Sequence, residues 1–378
     1  MSINRPFLTL LYTCLVLDYS TKIAMAIDPP EDRSFVGYNL FEGGGMTVHG
    51  PAVIIRKEIK GHTAINAGAR VDMVSSASID VVTQASQFTE TRQEYNLGGT
   101  RIFGETLIST HYTHSDESDY TSDTLAFDLA HDLFDKNFTI DLNMSRSWDK
   151  VGKNGDPSFG LQDYNRSTYR VGLAQSINPS WLTQLSYELT ADEGHLSNPY
   201  RNALTEAMAW VPEHYPEART GQAWVVRTSF RSPFGTPERD EAIGSTIQLH
   251  YRYYQDTFDI HSHTAKFIYQ KYVSSNWLIG GSYRYYRQNA ASFYGDRLPV
   301  DQTFKARDKE LSRFSDHWFG ADIQFEPDRK RWGGIQNPFF RTHYRFILFR
   351  YDNFTDLQSG DNHAWEANVI QISFGFKY

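Results

Sequence analysis

The chain has 378 residues, a formal net charge of −8 and an aromatic content of 15%, yet its mean hydropathy is only −0.52. This composition excludes a helical membrane protein, because each spanning helix needs about 20 predominantly apolar residues in a row and the sequence has no such run. The acidic balance and the lack of a Lys/Arg-rich block argue against nucleic acid as a partner.

The first 26 residues have the pattern of a cleaved secretory signal peptide. Arg5 supplies a positive charge and an uncharged apolar run follows from Phe7 to Leu17. Ala24 and Ala26 then place small residues at the positions that signal peptidase requires, which predicts cleavage after Ala26. A membrane anchor is the alternative, but the run is about half the length that a spanning helix needs. The prediction is a signal peptide at 1–26 and a single barrel domain at 27–378.

Cys14 is the only cysteine of the sequence and lies inside the predicted signal peptide. A mature chain without a thiol excludes cysteine nucleophiles, zinc–thiolate centres and iron–sulfur clusters. It also suits export through an oxidising periplasm.

Apolar and polar residues alternate in segments of about ten residues, the length of a tilted membrane-spanning strand. Counting from Met46 gives fifteen such segments. A chain that starts and ends on the same side of a membrane needs an even number, so Phe35–Phe41 is predicted to be the missing strand. The fold is therefore predicted to be all-β, a transmembrane antiparallel up-and-down β-barrel of about 16 strands, with 14 to 18 as the range.

The connections between these segments alternate in length. Short connections rich in Gly, Asn, Pro and Ser are predicted at 60–62, 103–105, 135–137, 178–180 and 274–276. Longer ones are predicted at 75–88, 115–120, 149–164, 191–220, 289–312 and 352–363, and two connections on the short side, 232–244 and 327–338, are longer than expected. A soluble β-sandwich or propeller would share the alternating strands, but alternating short turns and long loops favour the membrane barrel.

The C-terminal segment Ile370–Tyr378 places a large apolar residue at every second position and ends on an aromatic residue. Phe374, Phe376 and Tyr378 are similar to the terminal recognition signal of outer-membrane barrels. Phe138, Trp181 and Trp277 each follow a short connection, where a girdle of aromatic residues is expected.

Several phrases of the sequence together resemble an uncharacterised bacterial outer-membrane β-barrel family that is catalogued as a domain of unknown function. The resemblance implies an outer-membrane barrel and brings no activity or catalytic residue with it. The phrases are Ala77–Thr83, Gly194–Arg201, Tyr251–Tyr254, Ile260–Thr264 and Arg284–Gln288.

The polar faces of the predicted strands are rich in arginine, which indicates a lumen that could bind a solute. A tetrad Tyr-Arg-Tyr-Tyr occurs at 251–254 and again at 283–286, and each copy directs its arginine and its last tyrosine inward. Guanidinium groups can pair with an anion, whereas the alternative is a network of paired charges that only stabilises the wall. The predicted lumen or solute-binding residues are Arg70, Arg170, Arg227, His250, Arg252, Tyr254, Arg284 and Tyr286.

Two groups of residues are weak candidates for metal binding. His261 and His263 share one face of a strand with Asp256 and Asp259 nearby, although their parity predicts that they face outward. The acids of one loop, Asp116, Glu117, Asp119 and Asp123, could share calcium, but a solvated acidic loop is the expected state. We therefore predict no metal and no other cofactor.

The leading functional hypothesis is a porin-like channel or solute conduit in the outer membrane. The alternatives are a non-conducting structural or docking barrel of an envelope complex and an enzyme that modifies outer-membrane lipid or lipopolysaccharide. No spacing of Ser, His and acid singles out a catalytic triad, so an enzyme is not expected. The expected partners are outer-membrane lipid, lipopolysaccharide and the barrel-assembly machinery, and the chain could form a homo-oligomer.

Overall fold

The computed structural model of the protein describes residues 31–76, 88–231, 244–328 and 331–378. The predicted signal peptide with Ala24 and Ala26, the resembling phrase at 77–83 and most of the connections at 75–88 and 232–244 lie outside these ranges. Within them no helix is both long enough and apolar enough to cross a membrane.

The chain runs almost entirely as β-strands, because period-two alternation of apolar and polar side chains suits a wall with two different faces. The strands are β1 (Arg33–Gly43), β2 (Met46–Ile59), β3 (Thr63–Ser76), β4 (Phe88–Phe103), β5 (Thr106–Asp116), β6 (Tyr120–Leu133), β7 (Phe138–Val151), β8 (Gln162–Asn178), β9 (Trp181–Gly194), β10 (Asn202–Leu204), β11 (Trp210–Pro212), β12 (Ala218–Arg231), β13 (Ser245–Asp256), β14 (His261–Tyr272), β15 (Trp277–Gln288), β16 (Phe314–Phe325), β17 (Arg331–Trp332), β18 (Ile335–Thr355) and β19 (Asn362–Lys377).

In the described residues, 16 of these strands form a closed antiparallel barrel. Each barrel strand pairs with its neighbours in chain order, and β1 closes the ring by pairing with β19 over Ser34–Gly43. The short strands β10, β11 and β17 lie in connections. A closed ring leaves no strand edge unpaired, which is what a barrel needs in lipid.

The predicted fold class and the predicted extra strand are confirmed. Phe35–Phe41 lies within β1 and turns into β2 through Gly44 and Gly45, which both adopt positive φ. Most of the short connections lie at the end that carries β1's start and β19's end, here called the short-turn end, whereas the β1–β2 and β13–β14 turns lie at the other end. The long connections at 152–161, 195–217 and 289–313 lie at the opposite, long-loop end.

The outward face of the wall is apolar and exposed. Leu97 is 60% exposed, Ile372 56% and Trp224 52%, and Trp181 and Trp277 are outward at the short-turn end. Such exposure of large apolar side chains around a closed barrel is typical of a lipid-facing surface.

The inner face is not uniformly polar, contrary to the expected polar lining. Near the long-loop end, apolar side chains of β16, β18, β19 and β1–β3 form one buried cluster. Phe349 stacks on Trp365 with ring centroids 4.1 Å apart, and Ile347 is 3% exposed. Part of the lumen wall is therefore packed like a core.

Gly50 provides a test of how tightly β2 and β3 approach each other. A Cβ atom at Gly50 would lie 1.7 Å from the Val71 carbonyl oxygen, whereas a Cβ atom at Gly99 would meet nothing within 4 Å. We expect Gly50→Ala to destabilise the barrel by about 1–3 kcal/mol, the usual cost of overpacking, and Gly99→Ala to change it little. Urea unfolding of the two refolded variants measures this difference, and equal midpoints would contradict the close approach.

Candidate functional site

The eight predicted lumen residues all lie on the inward face, on β3, β8, β12, β13 and β15. Four of the arginines are paired with a carboxylate: Arg70 with Asp72 at 2.8 Å, Arg170 with Asp141 at 2.9 Å, Arg252 with Glu188 at 3.2 Å and Arg284 with Asp316 at 2.7 Å. The Asp316 side chain is fully buried. These pairs match the wall-stabilising network that the sequence left open as an alternative.

Arg227 differs from the other predicted arginines. No hydrogen bond or ion pair joins its guanidinium group to another residue of the described ranges. It lies inward on β12 and directly opposite His250 of β13. An arginine that is not neutralised by contact leaves positive potential in the lumen.

Arg227 belongs to a row of basic side chains at one level of the barrel, which we call the lumen row: Arg227, His250, Lys266 and Arg284. His250 opposes Lys266 of β14, and Lys266 opposes Arg284 of β15. Directly opposed residues of antiparallel strands lie about 5 Å apart. Four adjacent strands therefore carry nitrogen-containing side chains side by side, and three of these side chains are cationic.

The lumen row and the neighbouring Trp318 contain nitrogen atoms with unused hydrogen-bonding capacity. His250 Nε2 is buried without a hydrogen-bond partner in the part of the chain that the structure describes, and so is the indole nitrogen of Trp318. Trp318 opposes Arg284 in the register of β15 and β16, and the Arg284 guanidinium lies 4.2 Å from its ring centroid. Unsatisfied buried donors are costly, so this corner is suited to an added acceptor.

The two Tyr-Arg-Tyr-Tyr tetrads have the same local geometry. The Arg252 guanidinium lies 5.0 Å from the Tyr254 ring and the Arg284 guanidinium 5.2 Å from the Tyr286 ring. The Tyr254 hydroxyl donates to Asp256 at 2.8 Å. Each tetrad thus holds its arginine against an aromatic face.

A different sector of the inner wall is acidic. The β6 and β7 strands direct Asp128, Asp132, Asp141 and Asp149 inward; Asp141 pairs with Arg170, and Asp128 lies 3.8 Å from the His111 ring. These acids are thus set apart from the lumen row, which lies on β12–β15.

Two long connections and the short β13–β14 turn fold together at the long-loop end. Residues 195–217, 257–260 and 289–313 share a buried apolar cluster that includes Tyr215, Phe258 and Phe293. Backbone hydrogen bonds join Leu298 to Leu204 and Glu206, and Lys305 to His214. We call these three segments the lid.

The lid reaches both sides of the mouth. On one side the Tyr200 hydroxyl donates to Asp119 in the β5–β6 connection. On the other, Tyr294 donates to the Asn353 carbonyl at 2.8 Å and Arg307 to the Thr355 carbonyl at 2.5 Å, both on β18. By the shorter path around the wall, six strands separate these anchors: β5, β4, β3, β2, β1 and β19. The lid therefore spans the mouth.

Buried charged residues join the two long segments of the lid. We call Arg201, Glu213, Arg307 and Asp308 the clasp. Glu213 accepts a hydrogen bond from the Tyr215 hydroxyl and another from the Arg307 backbone N–H at 2.7 Å. Asp308, which is 1% exposed, pairs with Arg201 at 3.4 Å. Burial and the neighbouring Asp308 carboxylate raise the pKa of Glu213 to about 7.

The clasp should depend on pH. Because its folded-state pKa is raised, Glu213 stabilises the closed lid most at low pH, and this stabilisation is lost as pH rises toward about 7. We expect hydrogen exchange of residues 195–217, corrected for its intrinsic pH dependence, to increase over this range. Glu213→Gln should remove the dependence, and Glu206→Gln, an exposed change in the same segment, should keep it. An unchanged pH profile in Glu213→Gln would contradict the assignment.

The structure does not bring the histidine candidates together with Asp259, but it brings two acids of the acidic loop together. His261 and His263 are exposed on the outward face, where His263 bonds the Tyr251 hydroxyl at 2.7 Å and His261 the Tyr253 hydroxyl at 3.0 Å. Asp259 lies in the β13–β14 turn with a φ of 65°. From the acidic loop, Glu117 and Asp119 approach Glu90 within 4.8 Å, the one such group in the described ranges.

Sequence reasoning missed Lys266, Trp318, Glu213 and Asp308. Alternation along β14 places His261 and His263 outward and Lys266 inward. The sequence therefore already indicated the inward position of Lys266. The row itself depends on strand-to-strand register, which one strand's alternation does not contain. Glu213 and Asp308 meet only because two distant loops fold together.

The closed barrel, its apolar outward face and its charged lumen define a β-barrel of the outer-membrane type. The predicted resemblance is confirmed by a family model described as "Protein of unknown function (DUF3570)", which matches residues 160–323. The match includes four of the five resembling phrases.

Several solved structures are similar to this chain at very low sequence identity. A bacterial polysaccharide outer membrane secretin has a TM-score of 0.52 at 8% identity, covering 93% of this chain and 100% of that one. OccD3 (OpdP) of Pseudomonas aeruginosa has a TM-score of 0.47 at 8% identity, with 94% and 95% covered. The translocator domain of the autotransporter NalP of Neisseria meningitidis has 0.40 at 7% identity, with 99% and 97% covered. No curated protein sequence matches.

Proposed function

We propose that the protein is an outer-membrane channel for small solutes that carry an anionic group. The observation that carries this proposal is the lumen row, in which no carboxylate of the described residues contacts the Arg227 guanidinium group. Rows of arginine and lysine in a pore favour anions. A guanidinium group can bind a carboxylate or phosphate through two parallel hydrogen bonds.

The placement in the outer membrane is part of the same proposal. A 16-strand barrel encloses more space than its side chains alone fill, and its outward face is apolar. The predicted signal peptide and the terminal pattern of Phe374, Phe376 and Tyr378 favour export and insertion by the barrel-assembly machinery. Transport through such a channel is passive, and no catalytic residue is assigned.

The lid makes this a gated channel. It spans the long-loop mouth through contacts with Asp119 on one side and Thr355 on the other. The two long segments of the lid meet at the polar clasp, where Glu213 accepts hydrogen bonds from Tyr215 and Arg307. We infer that the two long segments separate when a solute passes.

A non-conducting barrel is the second candidate, and two observations favour it. The lid covers the mouth, and the apolar cluster around Ile347 and Phe349 fills part of the inner face. Such a barrel would bind a partner at its surface and would not need an aqueous path.

Efflux of matched solutes from proteoliposomes separates the two candidates. The vesicles would contain solutes of similar size with a negative, a neutral or a positive charge. The channel predicts that the anion leaves several-fold faster than the cation, because the lumen row concentrates it. Retention of all three solutes would contradict the channel and favour the non-conducting barrel.

A further inference from the structure

The outward surface near the long-loop end carries a second group of basic side chains. His263 of β14 opposes Arg287 of β15, Arg287 opposes Ser315 of β16, and Ser315 opposes Arg350 of β18. Arg313 lies just before β16, one step nearer the loops. We call His263, Arg287, Arg313 and Arg350 the rim patch.

The rim patch has more positive than negative charge. Arg287 and Arg313 are 59% and 51% exposed and share one carboxylate, Asp352, at 3.8 Å and 3.3 Å. Arg350 is exposed and has no hydrogen bond or ion pair to another residue of the described ranges. Glu366 of β19 lies one step further from the loops, opposite Leu348. The three guanidinium groups therefore outnumber the nearby carboxylates, and Arg350 can contact an external anion directly.

The rim patch lies at the depth where lipid headgroups are expected. Trp277 begins β15 at the short-turn end, and Arg287 follows ten residues later on the same outward face. Ten residues of a strand tilted by about 40° rise roughly 25 Å, the height of the apolar band of an outer-membrane barrel. Outward tyrosines lie immediately below: Tyr251 is 46% exposed and Tyr283 38%. Such aromatic belts mark the membrane interface.

The opposite part of the same rim has a different charge. On β5–β9 the outward residues near the long-loop end include four carboxylates and two cations: Asp116, Asp123, Asp163, Glu193, Arg146 and Lys150. Lys150 is already paired with Asp163. Of these two parts of the rim, the one on β14–β18 therefore carries the excess of positive charge.

We propose that the rim patch binds the phosphate groups of lipopolysaccharide in the outer leaflet. Arginine forms paired, charge-assisted hydrogen bonds with phosphate, and Tyr251 and Tyr283 provide an aromatic surface for the sugar and acyl region beneath. The proposal rests on the membrane placement in the proposed function but not on conduction, because the rim patch and the lumen row lie on opposite faces of the wall.

The test is binding of lipid A to the refolded barrel domain in detergent, measured by native mass spectrometry. The probes are lipid A with two phosphates, the same lipid without phosphates, and inorganic phosphate as a competitor. The variant is Arg287→Gln/Arg350→Gln. The control Arg146→Gln/Lys150→Gln removes the same charge from the opposite part of the rim.

Affinity for diphosphorylated lipid A should fall by about tenfold or more in the rim-patch variant, because two charge-assisted contacts are lost. It should be nearly unchanged in the control variant, and the dephosphorylated lipid should bind the native protein as weakly as the variant binds lipid A. The proposal would be overturned if the two variants bound lipid A with equal affinity, or if the native protein bound both lipids equally well. Competition by inorganic phosphate at concentrations similar to the lipid would also overturn it, since the site would then recognise free phosphate.

The same variants separate this proposal from the channel. A rim-patch variant that conducts like the native protein but loses lipid A supports the lipid site. Unchanged lipid binding in a conducting rim-patch variant would overturn the lipid site and leave the channel standing. If no variant conducts but lipid binding still depends on phosphate, the channel proposal is overturned and the lipid site stands.

Discussion

A disulfide bond between positions 205 and 298 is expected to hold the channel shut. Thr205 and Leu298 form a parallel bridge between the two long segments of the lid, at a spacing of about 5 Å that suits a disulfide. If solutes pass only when these segments separate, Thr205→Cys/Leu298→Cys should lose at least about 90% of its conductance under oxidising conditions, because the closed state becomes covalent. Planar-bilayer recordings measure this directly.

The control for the lid experiment is the same protein after reduction. The barrel domain at 27–378 contains no other cysteine, so a reductant acts only on the engineered bond. Conductance should return on reduction, and each single cysteine variant should conduct under both conditions. Full conductance in the oxidised double variant would show that solutes bypass the lid.

Neutralising Arg227 and Lys266 together is expected to remove most of the anion preference. The two side chains are separated in the lumen row by His250 alone, and their loss lowers the local potential that concentrates anions. We expect the anion-to-cation permeability ratio of Arg227→Gln/Lys266→Gln to fall at least about threefold in dilute salt. Reversal potentials in a salt gradient measure the ratio.

Arg284 is left in place in this experiment because its removal would leave Asp316 buried without its partner, a change that costs roughly 3–5 kcal/mol. Arg146→Gln/Lys150→Gln removes the same charge from the outward face and should leave the ratio unchanged. The difference should shrink in 1 M salt, where the Debye length is only about 3 Å. An unchanged ratio in dilute salt would place the ion path away from the lumen row.

The barrel could be predicted because the alternation that defines each strand is visible in the sequence of that strand alone. A period of two assigns each side chain to a face, so Arg252, Tyr254, Arg284 and Tyr286 are inward as expected. The need for an even number of strands also identified β1, since both chain ends had to lie on the same side of the membrane. The same reasoning applies to each strand taken alone.

Features that combine residues of several strands or loops, such as the lumen row and the lid, could not be predicted from one sequence. The lumen row exists because four strands are aligned at one level, and a shift by one residue would have turned each side chain to the other face. The lid depends on contacts such as that between Glu213 and Arg307, which no local pattern encodes. The apolar inner cluster was also missed, because Ile347 and Phe349 lie on the face that parity assigns to the lumen.

The most direct test of the channel is the single-channel conductance of the refolded barrel domain in a planar bilayer, with the reversal potential measured across a salt gradient. Our account predicts discrete current steps, closures that become rarer as pH rises toward about 7, and a reversal potential on the anion-selective side. A protein that refolds as a barrel but passes no ions at any pH, or that passes cations preferentially, would contradict the account.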